Sequence, residues 1–207
     1  MRTTGIVVVL TACAAPLVAQ VAGTPATPAG PRPAPVILPA AQQIAAAVQP
    51  LPAPMRDSAA VLGYSAGGQL VELRHGNGSM ICLADDPKDD GFHVACYSAT
   101  MEPFMARGRE LRAHGADQNM VDSVRGAESR DGRIRMPSTA MLYSLTGPAG
   151  SYNAATNTVT GARPLFVVYV PFATAESLGL TTMPQRGMPW MMHPGAPNAH
   201  IMFAPGM

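Results

Sequence analysis

The chain opens on a continuous apolar block and only later settles into the alternating and helical repeats of a folded domain. Ile6 to Val18 form an uncharged, largely apolar run behind Arg2, with the small residues Ala19 and Ala22 after it. That run falls short of the roughly twenty residues needed to cross a bilayer, and the layout predicts a signal peptide over residues 1–20. Residues 21–37 hold five prolines among Ala, Gly and Thr and show no hydrophobic period. Such a composition buries too little to offset the entropy of ordering, so it predicts a disordered Pro/Ala-rich lead that acts as a linker.

From Pro39 the pattern becomes that of packed elements. PAAQQIAAAVQP, residues 39–50, puts Ile44, Ala45 and Val48 at helical spacing, with proline at its start and Pro50 ending it. Runs with strand composition follow at 59–64, 69–74, 79–84 and 92–98, and the separators SAGG, HGNG and DDPKDDG predict hairpins. Helical spacing returns at 101–114, through Phe104, Met105, Ala106 and Leu111, with Pro103 in the first turn and Gly115 as a stop. A further helix is predicted over 117–129, with Met120, Val121 and Val124 on its apolar side. The charges on this pair, including Arg107, Arg109, Glu110, Arg112, Asp122, Arg125 and Glu128, read as a solvated surface. Strands are expected again at 140–145, 165–169 and 200–203, with a helical turn at 173–178. The fold class is therefore α+β: one domain over 38–207, built on a mainly antiparallel hairpin meander with two to four short helices.

Charge and composition narrow the function. Fourteen basic residues face thirteen acidic ones for a net charge of +1, which leaves no electrostatic footprint for nucleic acid. From Met136 onward the formal charges are Arg163, Glu176 and Arg186. Buried strands joined by tight loops produce such a segment; so does an interface, and a homodimer through this low-charge third is the partner it would imply.

The three cysteines fall into a pair and a remainder. Cys82 and Cys96 lie in MICLADDPKDDGFHVACY, on apolar segments flanking an acidic turn, so a hairpin sets them opposite each other. An oxidising compartment would close the bridge, worth roughly 3 kcal/mol for a loop of about fifteen residues. The spacing lacks the CxxC arrangement of redox and zinc motifs. Cys13 is left over. The sequence around it, Leu10-Thr11-Ala12-Cys13, resembles the lipobox of bacterial lipoproteins, in which the cysteine is lipidated and becomes the first mature residue. Cleavage further on, removing Cys13 with the signal, is the other outcome, and both stay open.

Chemistry-bearing motifs are few. GYSAGG, residues 63–68, matches Gly-x-Ser-x-Gly behind an apolar run, which would make Ser65 the nucleophile of a hydrolase elbow. The elbow needs a central parallel strand with much chain before it and a helix after it, and QLVELRHGNGS is soon broken by glycine; a tight turn between antiparallel strands explains the same glycines. Asp85, Asp86, Asp89 and Asp90, with His93 nearby, offer oxygen ligands for calcium, though Lys88 stands where an EF-hand loop wants an oxygen. A solvated hairpin tip accounts for the same residues. Fourteen methionines match the leucines in number, and GMPWMMHPGAPNAHIMFAPGM gathers Met188, Met191, Met192, His193, His200, Met202 and Met207 around Trp190, the single tryptophan. Thioether and imidazole select Cu(I), and a tryptophan face can cover the ion, whereas flexible Met also fills irregular core gaps.

Taken together, VLGY followed by ELRHG, MICLADDP with FHVACY, and YVPFATAESLGL with PWMMHPGAPNAHIM resemble a family of exported bacterial proteins of unknown function, over about residues 59–203. The resemblance implies that these segments share one fold unit and that Ser65 lies in a hairpin turn, and it implies no reaction. The expected function is a noncatalytic envelope binding or structural module, periplasmic, outer-membrane-anchored or extracellular, without a required cofactor and with a ligand the sequence does not specify. The alternatives are a serine hydrolase using Ser65 and a periplasmic copper- or calcium-binding protein. Intact-mass measurement on the envelope fraction is expected to show a shortened chain, beginning either at a diacylglyceryl Cys13 or near Gln20 to Gly23. Recovery of a chain that still begins at Met1 would overturn export.

Overall fold

Alternation in the strand-rich segments becomes a sheet close to where the pattern places it. The computed structural model describes residues 36–205, so the signal peptide, Cys13 and nearly all of the linker lie outside the described residues. In chain order these residues form α1 (Ala40–Ala47), α2 (Ala53–Arg56), β1 (Ala60–Tyr64), β2 (Leu70–Arg74), β3 (Met80–Leu83), β4 (Gly91–Ser98), a 3-10 turn (Ala99–Met101), α3 (Glu102–Ala113) and α4 (Gln118–Arg130). After these come β5 (Ala140–Pro148), β6 (Tyr152–Asn153), β7 (Thr158–Val159), β8 (Arg163–Tyr169), α5 (Ala175–Leu178), β9 (Trp190–Met192) and β10 (His200–Phe203). The class is α+β, with a mostly antiparallel sheet of eight strands in the order β2-β1-β3-β4-β5-β8-β10-β9 and a small β6-β7 ribbon at the tip of the β5–β8 hairpin.

One step departs from a plain meander. β3 pairs with β1 rather than β2, and runs parallel to it, while every other pair in the sheet is antiparallel. The cause lies in HGNG, which carries the chain across the start of β1 instead of folding it back on β2. A Cβ at Gly76 would overlap the backbone of Ala59 and Ala60, and one at Gly78 would overlap Ser58. The Gly78 N–H donates to the Ser58 carbonyl at 2.8 Å, and Arg74 Nε donates to the Ala59 carbonyl at 3.0 Å, which fastens the crossing. Only glycine lets two backbones approach this closely.

The two faces of the sheet carry separate cores, because successive side chains on a strand point opposite ways. On one face Val61, Met80, Cys82 and Cys96 pack with Ala47, Val48 and Leu51 at the end of α1. Cys82 stands directly opposite Cys96 in the β3–β4 register, and the two are joined in a disulfide. On the other face Tyr97, Met101, Phe104, Ile134 and Ala140 form the core under α3 and α4. Asp117 caps α4 by accepting from the Met120 N–H at 2.8 Å. The charges of this helix pair are not all solvated. Arg125 is 7% exposed and lies with its guanidinium carbon 4.0 Å above the centre of the Phe104 ring. It fits because α3 has glycine at 108, where a Cβ would come within 2.9 Å of Arg125 Nη1. Met120, expected on the apolar side, is 56% exposed instead.

A single polar side chain docks α1. Gln43 is 7% exposed, its Nε2 donates to the Tyr64 carbonyl at 2.8 Å and to the Leu38 carbonyl at 2.7 Å, and its Oε1 accepts from the Tyr64 N–H at 2.8 Å. The amide thus pairs with the peptide of Tyr64 as a neighbouring strand would. It sits over Gly63, where a Cβ would come within 2.6 Å of Gln43 Oε1. Replacing Gln43 by leucine leaves the half-buried Tyr64 N–H and carbonyl without their partner, and an unsatisfied buried group costs about 1–3 kcal/mol. Urea denaturation of Gln43→Leu is expected to show a loss of about 3 kcal/mol, and a loss under about 1 kcal/mol would show that the amide does not hold the helix.

Candidate functional site

Docking of α1 opens a cleft beside it. The incoming segment at residues 36–38, the first turns of α1, the β3–β4 connection and the β5–β6 turn enclose a volume of 330 Å³. Its apolar wall includes Ile37, Leu38, Ala46, Phe92 and Tyr152. The last two rings stack at 6.3 Å between centroids with an interplanar angle of 10°. The polar wall is Tyr64 with Asp85, Asp86 and Asp89.

Local chain geometry sets the acids in place. Ala84 continues β3 by donating its N–H to the Leu62 carbonyl, and the chain then turns, with the Asp89 N–H donating to the Asp86 carbonyl and the Lys88 N–H to Asp86 Oδ1. Asp85 reaches across to β4, where its Oδ1 accepts from the His93 N–H at 2.7 Å, and His93 Nδ1 lies 2.8 Å from Thr146 Oγ1. Burial pushes the Asp85 carboxyl up to about 6; the Asp89 and Asp86 charges add to the rise, and the His93 N–H opposes it. Burial, the Asp86 charge and the hydrogen bond to Asp86 raise the Tyr64 phenol far above its ordinary value, so it stays a neutral donor. Burial lowers His93 despite the nearby Asp89. The cleft is therefore an aromatic, apolar slot with an anionic end.

Other residues singled out by the sequence are dispersed. Three of the four aspartates considered for calcium line the cleft, but among the described residues no three His, Cys, Asp or Glu side chains gather as a metal-holding group. Ser65 begins the β1–β2 turn: its N–H donates to the Gln69 carbonyl at 2.9 Å, its carbonyl accepts from the Gly68 N–H at 2.8 Å, and its Oγ accepts from the Gln69 N–H at 3.3 Å. Gly68 adopts φ +75°, which explains the glycine. This is a hairpin turn between antiparallel strands, without the strand-to-helix elbow a nucleophile requires. Met188 is 57% exposed and borders a second, apolar groove of 410 Å³ with Met141, Phe166, Val168 and Phe203. Met191 is buried, whereas Met192 opposes His200 in the β9–β10 register and the His193 ring lies 5.6 Å from the His200 ring.

Sequence reasoning located the aspartates but not the cleft. Its walls come from segments near residues 37, 45, 64, 87 and 151, and neither Tyr152 nor Ala149 carries a local signal. No protein-family model matches the chain, and no curated protein or solved structure is similar to it.

The Asp85 shift has a direct consequence for stability. With its folded-state pKa at about 6, above the ordinary carboxylate value of 3.8, ionisation penalises the folded state. The penalty is absent below about pH 4, grows as pH rises through 6, and is complete above it. Asp85→Asn, whose amide oxygen can still accept from His93, is expected to raise stability at pH 7.5 by about 1 kcal/mol after allowing for solvent screening. Urea denaturation at pH 7.5 and pH 4 checks this, and a gain of equal size at both pH values would contradict it.

Proposed function

We propose that this chain is an exported, noncatalytic binding module whose ligand enters the cleft between α1 and the aspartate-rich β3–β4 connection. The observation that carries the reading is the cleft itself: 330 Å³, with stacked aromatic and aliphatic walls and three aspartates at one end. Small-molecule sites have this volume and this mixture of apolar lining with a few convergent polar groups. The chemistry favours a ligand with an apolar body and one positive charge. Asp86, already accepting from the Tyr64 phenol, and the partly buried Asp85 would meet an ammonium group, and the Phe92–Tyr152 stack would cover the hydrocarbon.

The disulfide supports placement in an oxidising compartment, since such bridges rarely persist in the cytosol of mesophiles. With the signal-like leader it makes export the economical reading. The hydrolase alternative draws no support from Ser65, whose hydroxyl is engaged with the turn backbone.

Calorimetric titration with octylammonium, octanol and octanoate tests the proposal. Octylammonium is expected to bind at pH 7.5, with octanol weaker and octanoate weakest, and Asp86→Asn is expected to weaken octylammonium about tenfold. Affinity should also fall between pH 7.5 and pH 5 as Asp85 takes up its proton. Octanoate binding as well as octylammonium, or absence of binding by all three probes to folded protein, would overturn the reading.

A further inference from the structure

The methionines and histidines near the C-terminus divide between the two faces of the sheet, and the division leaves one coherent group. Directly opposed residues of an antiparallel pair project to the same side, and their neighbours project to the other. Met192 of β9 opposes His200 of β10, and His200 opposes Tyr169 of β8. Met191 opposes Ile201 on the other side, where it is buried, and Met188 belongs to the apolar groove with Met141 and Phe166. Met191 is thus used in packing, and Met188 lies exposed at the groove, away from the histidines. Met192 stands beside an imidazole.

His193 completes the arrangement. It is exposed, directly follows β9, and has φ +52°, a left-handed conformation that few residues other than glycine adopt. The turn is closed by the Ala196 N–H donating to the His193 carbonyl at 3.1 Å. This geometry carries the His193 ring to 5.6 Å from the His200 ring, centroid to centroid, at an interplanar angle of 49°. Two imidazoles bound to one ion through nitrogens about 2 Å from it, with a wide angle at the metal, have centroids roughly 5.5 Å apart.

The surroundings prepare His200 as a ligand. Its Nδ1 lies 2.7 Å from the Asn198 carbonyl, so Nδ1–H donates there and the Nε2 lone pair is left available. Asp122 of α4 acts on both rings through space. Burial pushes the Asp122 carboxyl up, but hydrogen bonds from Gln118 and Arg125, with the positive charge of Arg125, hold it below its ordinary value. It therefore supplies a fixed negative charge near the rings. Tyr169 packs on His200 at 5.2 Å, and the buried Trp190, two residues before Met192, projects to the same side of β9.

We propose that Met192, His193 and His200 form a site for a soft monovalent metal ion, Cu(I), with two imidazole nitrogens and one thioether sulfur as ligands. The described residues provide no third His, Cys, Asp or Glu for this pair of histidines, so a hard or borderline divalent ion lacks a full donor set. Sulfur supplies the missing donor, and a thioether discriminates in favour of Cu(I). The site is separate from the cleft.

Anaerobic competition for Cu(I) against bicinchoninate tests the assignment, using the full chain with its disulfide intact and carrying Cys13→Ser so that no thiol competes. The protein is expected to withdraw one equivalent of Cu(I). Met192→Leu and His193→Ala are each expected to weaken its affinity at least tenfold, while Met188→Leu leaves it unchanged. Failure to withdraw Cu(I), or an affinity indifferent to Met192 and His193, would overturn the proposal. So would Zn(II) binding more tightly than Cu(I) with no response to Met192→Leu.

Discussion

The side-chain amide of Gln43 is the contact from which the architecture around the cleft follows. Helices ordinarily dock on sheets through apolar side chains, at a separation set by their bulk. Here the helix is AAQQIAAA, too poor in large residues for that alone, and it closes on the sheet through an amide that pairs with the peptide of Tyr64. The glycine beneath, at 63, lets the amide reach the backbone. Once the helix is fixed there, Ala47, Val48 and Leu51 seal the disulfide-bearing face, and Ala46 becomes part of the wall behind Phe92. The cleft is the space that remains between this short helix and the loops that overhang it.

Much of the fold was legible because its pattern is local. Alternation placed β1 through β4 nearly to the residue, Asp117 and Gly115 bounded the helices, and the spacing of Cys82 and Cys96 anticipated a directly opposed pair. Sheet order was less legible. Whether HGNG folds β3 against β2 or carries it past β1 depends on backbone contact between Gly76 and Ala59–Ala60, a feature with no periodic signature. β9 went unread because three residues are too few to show alternation, and their Met-rich composition drew attention as chemistry. The burial of Arg125 has no signature in the chain, since no pattern announces a neighbouring helix that has dropped a side chain at Gly108 to receive it.

The candidate sites differ in how much the sequence reveals for the same reason. Asp85, Asp86 and Asp89 stand close together in the chain and attract notice, but their effect comes from Tyr64 and Tyr152, which reach the same space from distant strands. Among the methionines and histidines, composition picked out the right segment and strand register sorted it. One residue of offset separates Met191, which packs, from Met192, which faces His200. Composition alone cannot make that distinction, because it depends on which way each residue of β9 points.

The disulfide also bears on how the chain reaches this structure. Its cysteines lie on adjacent strands of one hairpin, 14 residues apart, so their encounter closes a shorter loop than the pairing of β3 with β1 requires. In an oxidising environment the bridge can therefore form from the β3–β4 hairpin alone, without the rest of the sheet. The remaining cysteine, Cys13, is far from both partners in sequence. Local closure favours the native bridge kinetically, and a covalently registered β3–β4 hairpin is then in hand when the rest of the sheet adds to it.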